Sequence, residues 1–190
     1  MERAIEYAFA VAERRPRRKL TSITKSNAQA YSMTLWDEIF AECAKRHPSV
    51  ETEQWLVDAA TIRFVLHPET LDVVVASNLF ADILTDLAGA LSGSLGLAPS
   101  ANLDPSRRHP SMFEPVHGSA PDIFGKGIAN PIATIWSAAM MLDHLGEPEA
   151  ARAIERAISE VTAQGEVLTP DLGGYASTTQ VADAIVAALG

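Results

Sequence analysis

The run LDVVVAS, residues 71–77, limits the fold more than any other stretch. Consecutive valines suit a strand covered on both faces, and such strands belong to parallel sheets flanked by helices. The neighbouring segments agree. KLTSITK, residues 19–25, is rich in β-branched residues and reads as a strand, and VETEQWLV, residues 50–57, reads as another. Helical periodicities lie before, between and after them. Residues 2–14 place Ile5, Ala8, Phe9 and Ala12 on one face. A second helix spans 28–46, capped by Ser26 or Asn27 and stopped before Pro48. DAATIRFVLH, 58–67, is ended by Pro68. LFADILTDLAGAL, 79–91, follows a capping Asn78, with Phe80, Ile83, Leu84, Leu87 and Leu91 on its apolar side. This alternation predicts an α/β fold.

The texture changes after Gly93. Residues 98–122 hold five prolines and little periodicity, which reads as a long functional loop. Asn130 caps a helix that starts at Pro131 and ends at Gly146. PEAARAIERAISEVTAQ, closed by Gly165, and TTQVADAIVAAL are two further helices. The expected domains are residues 1–93 and 94–190.

Composition narrows the partners. The 190 residues are 47% hydrophobic and 21% charged, an ordinary globular mix. A net charge of −9 argues against nucleic acid and anionic membrane. The single Cys43 can form no internal disulfide, which fits a reducing, cytoplasmic compartment. The first twenty residues form an amphipathic, basic-ended segment without a signal-peptide pattern, and no apolar run is long enough to span a bilayer.

Several side chains could carry chemistry. Asp82 and Asp86, at i and i+4, share a helix face beside the apolar stripe. They suit a hard divalent ion, or else acidic residues favoured by the helix dipole. Asp58 opens a helix and serves at least as an N-terminal acid. Lys25 sits where a strand gives way to a helix, a place that commonly holds catalytic groups in α/β folds, although most lysines are simply solvated. HGSAPD, 117–122, is a turn of small residues whose backbone N–H groups can approach a ligand, or a proline-bounded structural loop. GSLG, 93–96, lacks the full G-x-G-x-x-G and opens no helix, so no Rossmann site is read there.

In combination these signals resemble the isocitrate/isopropylmalate dehydrogenase family of metal-dependent β-decarboxylating dehydrogenases. LTSITKSNA, the segment from Val57 to Asn102, FEPVHGSAPDIFGKGIANPIATI and TPDLGGYAST carry the resemblance. The segment from Ser100 to Gly146 is similar to the tartrate dehydrogenase/D-malate dehydrogenase branch. The resemblance implies Lys25 as the catalytic lysine and Asp58, also catalytic, as a metal ligand, both reaching a neighbouring subunit's site in a homodimer. It implies Asp82 and Asp86 as further ligands of Mg²⁺ or Mn²⁺. It assigns Glu114, His117, Gly118, Ser119, Ala120, Asp122 and Asn130 to the adenosine half of NAD, with Asp122 favouring NAD through ribose hydroxyls. The substrate implied is a 2-hydroxy dicarboxylate such as tartrate or D-malate.

One departure stands out. The family's substrate-clamping arginines and its catalytic tyrosine precede the lysine motif, and Tyr7, Tyr31 and Tyr175 do not match that tyrosine. The fold is therefore expected to be isopropylmalate dehydrogenase-like and incomplete, lacking the N-terminal part. The competing expectations are a catalytically silent assembly module and a 3-isopropylmalate dehydrogenase fragment.

Overall fold

The structure, a computed structural model, describes residues 1–190. It divides into two compact units, Met1–Ala88 and Gly89–Gly190. No helix is long and apolar enough to cross a membrane.

The first unit runs α1 (Glu2–Glu13), β1 (Lys19–Thr24), α2 (Ser32–Arg46), β2 (Glu51–Leu56), α3 (Val57–Leu66), a 3₁₀ turn (Pro68–Thr70) and β3 (Val73–Val75), and leads into α4 (Asn78–Leu91). The sheet order is β2-β1-β3, with both pairs parallel. Leu20 is registered against Thr52 on one side and Val73 on the other.

This order corrects the reading of the valine run. β3 is a short edge strand in which only Val75 is buried. The strand covered on both faces is β1, buried from Leu20 to Thr24. Its three small hydroxyl residues, Thr21, Ser22 and Thr24, disguise it in the sequence. Burying a hydroxyl is tolerable when it is paired, and Ser22 Oγ accepts a hydrogen bond from Trp36 Nε1 of α2 at 2.9 Å. Ile5, Phe9 and Ala12 of α1 and Met33, Trp36, Phe40 and Cys43 of α2 join Leu20 and Ile23 in one core. Each large aliphatic side chain sealed there contributes about 1.5–3 kcal/mol.

The basic stretch after α1 has a structural task. Arg17 donates to the carbonyls of Glu69, Thr70 and Leu71 at 2.8–2.9 Å, and Arg15 Nε donates to Asp72 Oδ1 at 2.5 Å. Together they hold the turn that delivers β3 to the sheet.

Two helix starts also differ from expectation. α2 begins at Ser32, because Ala28 and Gln29 donate their N–H groups to the Lys25 carbonyl and form a separate turn. Neither Ser26 nor Asn27 caps it. At α4, Ser77 Oγ rather than Asn78 accepts the Phe80 N–H, at 3.5 Å. Phe80 and Leu84 of that helix are buried, whereas Ile83 and Leu91 face solvent.

The second unit is a hairpin covered by helices. Within the proline-rich stretch, β4 (Pro99–Asn102) and β5 (Met112–Pro115) pair antiparallel, with Ser100 opposite Glu114. The prolines at the strand ends hide this hairpin, since Pro99 and Pro115 form its last pair. α5 (Ile132–Leu145), α6 (Pro148–Gln164) and α7 (Thr178–Ala188) follow. Ile132, Ala157, Ile158, Val161, Val181 and Ile185 make the core. Gly146 and Gly165 end α5 and α6 in the left-handed conformation that glycine adopts without strain. Ser177 and Gln180 form a capping box at α7.

Candidate functional site

The parallel register of β1 and β2 places Thr24 beside Leu56, so the residues that follow leave the sheet at the same end. Lys25 comes directly after β1, and Asp58 lies in the first turn of α3, which follows β2 without a break. Lys25 Nζ donates to Asp58 Oδ1 at 2.5 Å. Ligands of open α/β sheets bind at these carboxyl ends. The lysine is partly buried and the carboxylate mostly open to solvent. The Asp58 carboxyl is held below its ordinary range by the hydrogen bond from Lys25, helped by backbone N–H groups at the start of α3.

Asp82 and Asp86 lie one turn apart on α4, both exposed. Asn78 Nδ2 donates to Asp82 Oδ2 at 3.1 Å. In a single chain the ligand atoms gathered within 4.8 Å are those of Glu2, Glu6 and Cys43, not those of the three aspartates. That acidic cluster is already filled by a cation. Arg46 donates to Glu2, to Glu6 and to Cys43 Sγ. Burial, with Glu6 alongside, pushes the Cys43 thiol up to about 11 and away from the thiolate a metal needs.

The second unit holds a cleft of about 380 Å³. Ala120, Ile123, Ile128, Ala129 and Pro170 give it apolar walls, and Ser94, His117, Asn130 and Asp171 supply polar groups. Small-molecule sites are built this way, with few polar groups in a mostly apolar lining. Ala120 is left-handed at φ 45°, a conformation costly for a residue with a Cβ, and it turns the chain at the cleft wall. His117 Nδ1 lies 3.1 Å from the Gly118 carbonyl. Of the residues that the sequence reading gave to a nucleotide, His117, Ala120 and Asn130 line the cleft. Gly118 and Ser119 lie exposed between His117 and Ala120, Asp122 sits in the 3₁₀ turn Pro121–Ile123, and Glu114 lies on β5.

Residues 1–185 match the family model described as isocitrate/isopropylmalate dehydrogenase. The chain belongs to that family. Its relatives include a probable tartrate dehydrogenase/decarboxylase TtuC' of Agrobacterium vitis, 60% identical over 98% of this chain and 52% of the relative. D-malate dehydrogenase [decarboxylating] of Escherichia coli is 55% identical over 97% of this chain and 52% of its own length. Among solved structures, isocitrate dehydrogenase from Methylococcus capsulatus superposes with a TM-score of 0.92 at 47% identity, covering 99% of this chain and 55% of that one. The chain thus spans about half the length of the curated dehydrogenases it matches.

The family's α/β architecture is present here, and the cleft adds polar residues that sequence reasoning passed over. Ser94 and Gly96 fall in the GSLG segment set aside for want of a dinucleotide pattern, yet both line the cleft. Asp171 lies in TPDLGG, part of the resemblance but given no role. Only folding brings Ser94 and Asp171 together, across 77 positions of sequence.

Proposed function

We propose that this chain serves the oxidation of a 2-hydroxy dicarboxylate such as tartrate or D-malate, with or without decarboxylation, using NAD and a divalent metal ion. The Lys25–Asp58 pair, 2.5 Å apart at the carboxyl ends of neighbouring parallel strands, carries this reading. Relatives named tartrate and D-malate dehydrogenases support the substrate class.

In its neutral form Lys25 Nζ keeps an N–H on Asp58 and takes the substrate's hydroxyl proton on its lone pair as the adjacent C–H hydride departs. Asp58, already bonded to Nζ, orients the amine and stabilises the ammonium that forms. The donor set of Asp58, Asp82 and Asp86 is all oxygen, which fits Mg²⁺ or Mn²⁺. When bound, such an ion supplies Lewis-acid polarisation of the substrate oxygens. The cleft of the second unit fits the adenosine half of NAD, which supplies the hydride acceptor when bound. Its apolar walls would flank a base, His117 and Asn130 would offer hydrogen bonds, and Asp122 in the 3₁₀ turn would favour ribose hydroxyls over a 2′-phosphate.

A homodimer completes the proposal. Ile62 and Leu66 of α3 are 59% and 63% exposed, and Leu79 and Ile83 of α4 are 62% and 53% exposed. Each pair is spaced i, i+4 and so shows one apolar helix face to water. A second copy covering these faces is the arrangement in which Asp58 of one chain serves the Asp82–Asp86 helix of the other.

The decisive experiment follows absorbance at 340 nm with D-malate or tartrate, NAD and Mn²⁺. NADH formation that is lost in Lys25→Met supports the reading. A folded chain that binds NAD yet shows no turnover supports the assembly-module alternative instead.

A further inference from the structure

We infer that Asp171 is the positioning residue of the cleft in the second unit, fixing the side chain of Asn130 for a nucleotide; the inference rests on the nucleotide reading of that cleft. Three separate segments meet at this carboxylate. Asp171 Oδ2 accepts from Ser94 Oγ at 2.5 Å and from Asn130 Nδ2 at 3.0 Å. Asn130 Oδ1 in turn accepts the Ile132 N–H at 3.0 Å, at the start of α5. The Asn130 amide is therefore gripped at both ends, and one Nδ2 proton is left for a ligand acceptor such as a purine ring nitrogen.

Packing enforces the arrangement. A Cβ on Gly96 would meet Asn130 Cβ at 2.7 Å and Asp171 Oδ2 at 3.0 Å, so the bare backbone of Gly96 presses directly on the pair. Burial works to raise the Asp171 pKa, but the hydrogen bonds from Ser94 and Asn130 oppose it and the net displacement is downward. The acceptor is thus charged, and charge-assisted hydrogen bonds are roughly twice as strong as neutral ones. Ser94, Gly96, Asn130, Pro170 and Asp171 all line the cleft, so the network shapes a binding surface rather than the helical core.

The test titrates ADP-ribose into the chain by calorimetry, alongside thermal melting and ¹⁵N–¹H spectra of the Asn130 side-chain amide. Asp171→Ala and Asp171→Asn are expected to weaken ADP-ribose binding about tenfold or more, the loss of a hydrogen bond to a charged group. Ser94→Ala should weaken it less. The Asn130 side-chain signals should move in each variant. The exchanged pair Asn130→Asp/Asp171→Asn keeps a donor facing an acceptor but leaves no proton at position 130 for the ligand, so it should melt closer to the parent than Asp171→Asn does and still bind ADP-ribose poorly, a split that a merely structural role would not produce. An exchanged pair that binds ADP-ribose as tightly as the parent overturns the inference, as does unaltered binding in Asp171→Ala. Failure of the unaltered chain to bind ADP-ribose overturns the nucleotide reading itself, and this inference with it.

Discussion

Lys25 Nζ and Asp58 Oδ1 stand 2.5 Å apart, joining the residue just after one parallel strand to the helix that follows its neighbour. The pair closes no core. Asp58 is mostly exposed, and exposed ion pairs contribute little to stability because solvent screens them and holding two side chains costs entropy. Lys25→Met and Asp58→Asn should therefore leave circular dichroism and melting temperature nearly unchanged. In the catalytically competent assembly they should cut turnover roughly 10²–10⁴-fold, the usual worth of a positioned proton-transfer group. Variants that melt far earlier than the parent would show the pair to be structural.

The apolar faces of α3 and α4 make a second prediction. Leu66 and Ile83 are exposed in the single chain; in the proposed dimer they would leave water, so a charge at either position would be trapped without a partner. Leu66→Glu and Ile83→Glu should convert a dimer into monomers in light-scattering measurements. A dimer that persists in both variants would move the interface elsewhere.

A pH effect follows from His47. Its ring stacks on Phe9 at 4.7 Å, and its nitrogens lie 2.8 Å from Glu13 Oε1 and 2.9 Å from Glu6 Oε2. The charged groups facing it are these two glutamates of α1 and Arg46 beside it on α2. Glu13 first, then Glu6, raises the His47 pKa above its ordinary value. The stabilisation from charged His47 is then complete below the unfolded-state pKa of about 6.5 and fades as pH rises through the higher folded value. Glu6 behaves oppositely. His47 and then Arg46 hold it at about 2, so its contribution is complete above the ordinary carboxylate pKa and fades as pH falls below that pKa toward 2. Urea unfolding across pH should show the advantage of the parent over His47→Gln shrinking from near-neutral pH upward. An advantage that grows with pH would contradict the clamp.

How much of this was legible in the sequence depends on whether a residue's role is local. The α1 stripe of Ile5, Ala8, Phe9 and Ala12 is buried as periodicity requires, because burial there repeats every turn. Lys25 and Asp58 could be placed at strand ends from the order of elements alone. The centrality of β1 could not, because Thr21 and Ser22 look polar until Trp36 folds over the strand. The Ser94–Asp171 contact had no local signal either, and neither residue belongs to a periodic face. Hydrophobic pattern reports what an element buries, whereas the cleft is made where three loops converge.

Trp36 permits a direct measurement of that hidden strand. Its ring is buried and its Nε1 supplies the hydrogen bond to Ser22 Oγ inside the core. Trp36→Phe removes the donor, leaves a buried hydroxyl unpaired and should cost about 1–3 kcal/mol in urea unfolding. Adding Ser22→Ala should return part of that loss, since removing both partners removes the orphaned group. Additive losses in the double variant would mean that the hydrogen bond contributes nothing.

Two glycines separate the cleft's architecture from its use. Gly96→Ala forces a Cβ into Asn130 and Asp171, so it should lower the melting temperature of the protein and weaken ADP-ribose binding together. Gly118 differs, because a Cβ there meets nothing within 4 Å and its φ is not in the left-handed region. The folded chain therefore gives no reason for a glycine at 118, and Gly118→Ala should melt like the parent. If the His117–Asp122 turn faces a bound dinucleotide through its backbone N–H groups, the added methyl stands where the ligand must approach, and the dissociation constant for NAD should rise at unchanged stability. Unchanged affinity in Gly118→Ala would remove that turn from the binding surface while leaving the Ser94–Asn130–Asp171 wall untouched.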